Sequence, residues 1–353
     1  KKLRPDAGLI RNAPAILAML KGGDDHVLTR VVRFFEANGI EVRGVDTVAP
    51  NLKLGEGAID PAHAVLPADD VQRGLDVIAA IGGLDVGQAV VVRDGRVIAI
   101  EGVEGTDAML ARVSPLAVRA GVLVKAPKPG QERRVDLPTL GPRTVECAAA
   151  AGLAAIAAPA DQTLLLDRAE TIARVRALGC AVVGLPQSVA ARAALPTHQS
   201  GAVVARVLGR HQPQSRVLAD VHAGLEAQAR LSPFGAGDGV IVARQHILAV
   251  TASDTIVEMI ARAAALRQWG SGSSPRRRGV LIVADWGKVD TKLIAQLIER
   301  AAAARLEGVA LAVHKSLTQP ADHWGINDPS DNAVAKADEH GLFLLSCRPK
   351  QTT

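Results

Sequence analysis

The sequence repeats itself at an offset of 150 residues. Residues 70–112 align without a gap on residues 220–262, and 12 of the 43 paired positions are identical. Most of the other apolar positions exchange one apolar residue for another. An ungapped match of this length indicates an internal duplication, so the chain must contain two similar structural units. We call them the first copy and the second copy.

The order of elements predicted for each copy is helix, hairpin, helix, strand, helix, strand, helix, strand. The match continues beyond the ungapped segment, where GVLVKAP at Gly121 pairs with GVLIVAD at Gly279 after an insertion in the second copy. Near the ends, residues 177–184 resemble residues 339–346. Short apolar strands alternating with helices predict an α/β domain with a mostly parallel sheet and one β-hairpin.

Turn and capping residues support this reading in the first copy. The dipeptide Asp94-Gly95 lies between AVVV and VIAI and favours a type I′ hairpin turn. Pro142 suits the first turn of a helix that Gly152 ends in the left-handed conformation. Asp167 and Glu170 have the spacing of a capping box at the start of another helix.

We predict four segments from these patterns. Before the first copy, helices are expected near residues 13–20 and 27–38, followed by a short strand at residues 40–45. The segments are a helical remnant at residues 1–60, the first copy at 61–186, a linker at 187–219 and the second copy at 220–353.

Composition excludes several classes of function. No stretch of 18 apolar residues occurs that could span a membrane. The three cysteines are far apart, which argues against a structural zinc site and suits a reducing cytoplasm. The net charge is +5, but the one dense basic cluster, at residues 276–278, has no aromatic neighbour. It is typical of a solvated loop, and no nucleic-acid partner is predicted.

The loop at residues 124–144, VKAPKPGQERRVDLPTLGPRT, is unusually stiff and charged. It follows a buried strand and enters a helix near Gly141, the position where α/β folds bind ligands and where helix N–H groups attract anions. Asp136 would remain ionised among the surrounding cations. These cations are Lys125, Lys128, Arg133 and Arg134. From the residues alone, a phosphate site and a stiff basic surface turn both remain open.

A second polar cluster occurs in EGVEGTDAM, after the second strand of the predicted hairpin. Its members are Glu101, Glu104, Thr106 and Asp107. The three carboxylates could complete a cation site, or Thr106 or Asp107 could cap the following helix. Capping is the better interpretation of Thr106. Gln88 is a weaker candidate that could simply be a strand-edge residue.

Taken in order, these motifs closely resemble a known enzyme family. EGTDAM and KAPKPGQERRVDLPTLGPRT are similar to the C-terminal domain of the LpxI-type UDP-2,3-diacylglucosamine pyrophosphatases. The preceding segment resembles the end of that family's N-terminal domain. The resemblance covers residues 3 to about 186.

The resemblance implies hydrolysis of UDP-2,3-diacylglucosamine to UMP and lipid X in lipid A biosynthesis, with Mg²⁺ (or Mn²⁺) as cofactor. It implies a cytoplasmic enzyme that reaches its acylated substrate at the inner membrane surface by peripheral contact. Asp136, Lys125 and Lys128 would be catalytic, and Asp136, Glu104 and Asp107 would hold the metal. The implied substrate-binding residues are Gln131, Arg134, Thr139, Gly141, Thr144, Thr106 and Gln88.

Two departures from the family pattern shape the expectations. The family's glycine-rich N-terminal domain is missing from this sequence, so acyl-chain or uridine binding could be lost with it. The second copy has ADWGKVDTK in place of the basic loop, although Asp290 aligns with Asp136. We therefore predict a degenerate second copy. The alternative function is a non-catalytic relative that binds a nucleotide-sugar lipid or a protein partner.

Overall fold

The fold is described from a computed structural model of the chain. It describes residues 24–84, 86–115, 118–129, 131–190, 203–266, 277–284, 291–312 and 330–349. The helix predicted near residues 13–20 and the aligned Asp290 lie outside these ranges. In the described part, no helix is both long enough and apolar enough to cross a lipid bilayer.

The first copy forms around a mixed six-stranded sheet. Two helices precede it, α1 (Asp24–Ala37) and α2 (Val45–Val48), and a 3₁₀ turn follows them at Pro50–Leu52. The strands are β1 (Gly57–Ala58), β2 (Ala89–Arg93), β3 (Arg96–Ile100), β4 (Val122–Lys125), β6 (Ala155–Pro159) and β8 (Ala181–Leu185). The helices are α3 (Ala68–Gly82), α4 (Thr106–Ala111), α5 (Pro142–Ala150), α6 (Arg168–Leu178) and α7 (Gln187–Ala190).

The strand order in this sheet is β1-β8-β6-β4-β2-β3. The central strands β4, β6 and β8 pair in parallel, and the β2–β3 hairpin joins β4 in antiparallel fashion. Two further short strands, β5 (Thr139–Leu140) and β7 (Leu164–Leu165), pair in parallel beside it. The hairpin strand β3 is therefore an edge strand.

The second copy repeats this arrangement. Its strands are β9 (Val203–Val207), β10 (Gly239–Ala243), β11 (His246–Val250), β12 (Val280–Val283), β13 (Gly308–Ala312) and β14 (Phe343–Pro349). Its helices are α8 (Ser215–Leu231), α9 (Ile256–Leu266), α10 (Thr291–Ala303) and α11 (Asp331–Glu339). The order β11-β10-β12-β13-β14-β9 matches the first sheet strand for strand. The predicted α/β class and the predicted order of elements in each copy are confirmed.

Each sheet includes one strand that lies outside the predicted bounds of its copy. Strand β9 lies inside the segment predicted as a linker, yet it pairs with β14 and completes the second sheet. Strand β1 lies inside the segment predicted as a helical remnant, yet it pairs with β8 in the same way. Both are edge strands that only their neighbours define, and the predicted bounds of the segments stay predictions.

Several local predictions are confirmed and two are wrong. Asp94 and Gly95 both have positive φ, as a type I′ turn requires, and Pro142 begins α5. The strand expected at residues 40–45 does not form, because this segment has no pairing partner and its end enters α2. Asp167 does not make the predicted capping bond, because it adopts a left-handed conformation before α6.

One apolar core joins the two copies. It includes α3 residues such as Leu75 and Ile78 together with α8 residues such as Val221 and Leu231. Helices α3 and α8 pack against each other between the two sheets. Two further cores lie on the outer faces, one in each copy. The sheets thus share a central helical layer, and each has its own outer helices.

The contacts between the copies follow a pseudo-two-fold axis. Arg230 donates to the carbonyl oxygen of Ala80, the residue 150 positions earlier, at 3.1 Å. Arg112 and its counterpart Arg262 lie beside Glu104 and its counterpart Asp254. Each of the two arginines approaches both carboxylates. Equivalent residues that meet across an interface are the signature of an isologous contact, here within one chain.

Candidate active site

The stiff basic loop begins where β4 ends and is fixed against the fold by close packing. A Cβ atom on Gly82, at the end of α3, would approach the Cδ atom of Pro129 to 2.3 Å. This contact holds the proline against the helix because glycine leaves room for it. A backbone hydrogen bond from Asp136 to the carbonyl of Glu132, at 3.1 Å, then turns the loop back toward the sheet. Strand β5 follows and leads into α5.

One half of the polar network in the loop surrounds Lys125, the last residue of β4. Its ammonium group donates to Thr106 Oγ1 at 3.1 Å and to the carbonyl oxygen of Thr139 at 3.2 Å. The Thr106 hydroxyl donates in turn to Glu101 Oε1 at 2.7 Å. Thr106 therefore links a cation to a carboxylate and makes no cap hydrogen bond, so its predicted capping role is wrong.

The other half of the network holds Asp136. The Gln131 amide donates to Asp136 Oδ2 and lies 3.5 Å from Gln88 Oε1, while its own oxygen accepts from the Lys128 backbone N–H at 2.9 Å. The Gln88 N–H donates to Glu101 Oε2 at 2.7 Å. Gln88 lies just before β2 and Glu101 just after β3, so residues at the ends of the hairpin and in the loop are joined in one chain of hydrogen bonds.

Burial makes the charged form of Lys125 less stable than that of a lysine in water. The residue is 8% exposed, and loss of solvent holds the pKa of its ammonium group below the ordinary lysine value. The nearby Glu101, Asp107 and Asp136 carboxylates oppose this shift, because they favour the charged form. A cation that is both desolvated and oriented interacts strongly with an anionic ligand.

The network opens onto a cavity of about 590 Å³. The first copy contributes Gln88, Glu101, Lys128, Gln131 and Asp136 to its wall. The second copy contributes residues 243–244 and 246–248 at the tip of its own hairpin, including Arg244 and His246. Two glutamines, two carboxylates and the cationic Lys128 and Arg244 around a cavity of this size can bind and orient a ligand with phosphate groups.

Comparison with known proteins identifies the family of the chain. The sequence model of the LpxI C-terminal domain matches residues 61–183 and 205–345 of the chain. The chain belongs to the LpxI family. A relative in Caulobacter vibrioides, the UDP-2,3-diacylglucosamine pyrophosphatase LpxI, is 43% identical over 196 residues. That alignment covers 52% of this chain and 69% of the relative.

The structure places some of the candidates suggested by the LpxI resemblance away from the cavity wall. Arg134 pairs with Glu132 at 2.7 Å and with Glu36 of α1, and the two carboxylates raise its pKa above the ordinary arginine value. Gly141 and Thr144 lie at the start of α5, beyond β5. Their predicted roles in substrate binding stay predictions, whereas Arg134 already has two anionic partners.

The three carboxylates predicted to hold a metal in the LpxI-type site are separated. Glu104 faces Arg112 and Arg262 at the pseudo-two-fold axis, and Asp107 lies 3.4 Å from Arg143 on the surface. Only Asp136 borders the cavity. Among the described residues, no group of three or more histidine, cysteine, aspartate or glutamate side chains is arranged to hold a metal ion.

A magnesium site of the kind used with phosphorylated substrates needs fewer protein ligands than a cluster of three side chains. Such sites use one or two carboxylates, while substrate phosphates and water complete the coordination. Glu101 also borders the cavity, but each of its carboxylate oxygens already accepts a hydrogen bond. Asp136 is therefore the carboxylate that fits a magnesium ion bound together with a pyrophosphate.

The LpxI resemblance assigned no role to Glu101, and sequence reasoning did not select Arg244 or His246. Glu101 was visible in the polar cluster, but spacing alone could not distinguish it from Glu104. The signal for Arg244 was the replacement of the Asp94-Gly95 turn by Arg244-Gln245 at the equivalent positions of the second copy. That change alters the charge of a hairpin whose strands are otherwise preserved.

Proposed function

We propose that the chain hydrolyses the pyrophosphate of UDP-2,3-diacylglucosamine to UMP and lipid X, a step of lipid A biosynthesis. The observation that carries this proposal is the hydrogen-bonded network from Lys125 to Asp136, which faces a cavity in a chain of the LpxI family. The relative from Caulobacter vibrioides bears the name of this activity.

The reaction is a displacement at the α-phosphorus. A bond forms from a water oxygen to this phosphorus, and the bond to the bridging oxygen breaks, so that the bridging oxygen leaves with the sugar phosphate. Lys125 and Lys128 are cations that offset the charge of the phosphates. Catalysis of this kind depends on positioning and on charge stabilisation, and it needs no covalent nucleophile.

Asp136 is the central carboxylate in this proposal. Gln131 fixes its orientation through one oxygen, which leaves the other free to face the ligand or to orient the water. Mg²⁺, held by Asp136 and the substrate phosphates, would supply further charge stabilisation. Glu101 acts on the site through Thr106 and Gln88 and is a positioning residue.

The substrate carries acyl chains, so the chain must meet it at a lipid surface. We propose reversible peripheral contact with the cytoplasmic face of the inner membrane. The net charge of +5 supports this, since anionic lipids attract cationic proteins.

Release of UMP from UDP-2,3-diacylglucosamine in the presence of Mg²⁺ tests the proposal. We expect Asp136→Asn to lower kcat by about 100-fold or more, because it removes a charge at the centre of the site without changing its size. Circular dichroism should show an unchanged fold.

The aligned residue of the second copy provides the matched control. Asp290→Asn should leave the rate unchanged, because the second copy lacks the rest of the basic loop. No UMP release by the unaltered chain, with or without Mg²⁺, would contradict the proposed function. Equal activity of the Asp136→Asn variant would remove that carboxylate from the mechanism.

A further inference from the structure

We propose that the second copy contributes part of the ligand-binding wall of the first, with Arg244 as a phosphate-binding residue and His246 beside it. This inference rests on the proposed function for the identity of the ligand. The second copy would then be a working part of the site, even though its own basic loop is absent.

The first observation is the composition of the cavity wall. At the tip of the second copy's hairpin, residues 243–244 and 246–248 line the same cavity as Lys128, Gln131 and Asp136 of the first copy. Arg244 is exposed toward solvent, and within the described part of the chain its guanidinium group makes no hydrogen bond or ion pair. A guanidinium group can bind a phosphate through two parallel hydrogen bonds.

The second observation is that the hairpin is fixed in this position. The Ser253 hydroxyl donates to the carbonyl oxygen of Ile98 on β3 at 2.8 Å. A Cβ atom on Gly102 would lie 2.8 Å from the carbonyl oxygen of Leu248, so the backbones of the two copies approach closely there. The edge strands of both sheets thus meet beside the cavity and orient the hairpin tip.

The third observation is backbone strain at the hairpin tip. Arg244 and Gln245 have φ values of 56° and 64°, a left-handed conformation that is unfavourable for residues with a side chain. The equivalent turn of the first copy has Asp94 and Gly95, which suit this conformation. Strain of this kind accumulates at functional positions, where the side chain matters more than local stability.

The same support holds the turn in both copies. Asp220 accepts hydrogen bonds from the backbone N–H groups of Arg244, at 3.0 Å, and Gln245, at 2.6 Å. Asp70 accepts the equivalent pair from Asp94 and Gly95, at 3.1 and 2.7 Å. The turn of the first copy could therefore replace that of the second without loss of its backbone support.

The experiment compares the KM for UDP-2,3-diacylglucosamine among variants of the full chain. We expect Arg244→Ala to raise KM by about 10- to 100-fold, since removal of one charged hydrogen-bonding partner weakens binding by this order. His246→Ala should raise it less. Arg96→Ala, at the position equivalent to His246 in the hairpin of the first copy, is the matched control and should leave KM unchanged.

A second variant keeps the turn intact. In the double substitution R244D/Q245G, the second copy receives the turn of the first, which relieves the backbone strain. We expect a higher midpoint of thermal unfolding together with a higher KM, a combination that a merely structural role of Arg244 would not produce. An unchanged KM in both Arg244 variants would overturn the inference.

Failure of the inference can be told apart from failure of the proposed function. If the unaltered chain releases UMP and the Arg244 variants match it, the inference is wrong and the function stands. If no UMP is released, binding of UMP and of inorganic pyrophosphate is measured by calorimetry. A lower affinity of the Arg244 variants than of the unaltered chain would then support the shared cavity wall, even without the reaction. Equal affinities would overturn the inference.

Discussion

Lys125 shows how a single residue combines structural and chemical roles. It ends the central strand β4, it is almost fully buried, and its ammonium group donates to Thr106 and Thr139. Burial lowers the pKa of Lys125, so its ammonium group loses a proton at a lower pH than a surface lysine does.

The pH dependence of the reaction follows from this shift. Lys125 is cationic below its folded-state pKa, and the charge is lost as pH rises through that value, which lies below the ordinary value of about 10.4. We expect kcat/KM to begin to fall at a lower pH than it would if it depended on a lysine fully exposed to water. In Lys125→Met, kcat/KM should be about 100-fold lower and this alkaline decline should be absent. A profile with the same alkaline limb in both proteins would assign the limb to another group.

Sequence reasoning selected Lys125 and Asp136 from the basic loop and Gln131 from the LpxI resemblance. The structure joins the three residues in one network, and their roles toward a substrate stay predictions. Sequence reasoning was not sufficient for Glu104, which pairs with Arg112 of its own copy and with Arg262 of the other copy. Spacing along the chain does not show whether a distant partner already neutralises a carboxylate.

At the level of elements, the two hairpins provide a contact between the copies in addition to the packing of α3 on α8. Strands β3 and β11 are edge strands, and unpaired edges promote association with other chains. Here each edge lies against the other copy, with Gly102 at the closest approach to Leu248. The repeat predicted these hairpins well, since the turn residues and the alternation are local. It did not predict β1 and β9, because such short edge strands are defined by the strand beside them.

The close approach at Gly102 leads to a prediction about stability. A Cβ atom there would also lie 2.6 Å from Glu104 Oε2, so Gly102→Ala meets both a backbone carbonyl and a buried carboxylate. We expect the free energy of unfolding to fall by about 1–3 kcal/mol, measured in urea. Gly55→Ala is the control. It has no atom within 4 Å of the added carbon and should change the free energy by less than about 0.5 kcal/mol. Equal effects of the two changes would contradict the close approach.

At the scale of the whole molecule, the shared core couples the two copies. Leu231 of α8 is fully buried in the same cluster as Leu75 and Ile78 of α3. Neither copy could leave the other without exposing this surface to water, which is unfavourable in proportion to the apolar area.

We therefore expect one cooperative unfolding transition. Leu231→Ala should destabilise the whole chain by about 2–5 kcal/mol. Hydrogen exchange read by mass spectrometry should show lost protection in α3 as well as in α8. Two separate transitions, with α3 keeping its protection when α8 opens, would show that the copies fold independently.

The pseudo-two-fold arrangement has an evolutionary consequence. In a dimer of identical subunits, every substitution appears twice. The two halves of the interface therefore cannot acquire different residues. Here the two halves of the interface are encoded separately, and the turn at residues 244–245 could diverge from the turn at residues 94–95. Because both halves belong to one chain, dilution cannot separate them. The asymmetry is inherited with the gene and persists at any concentration.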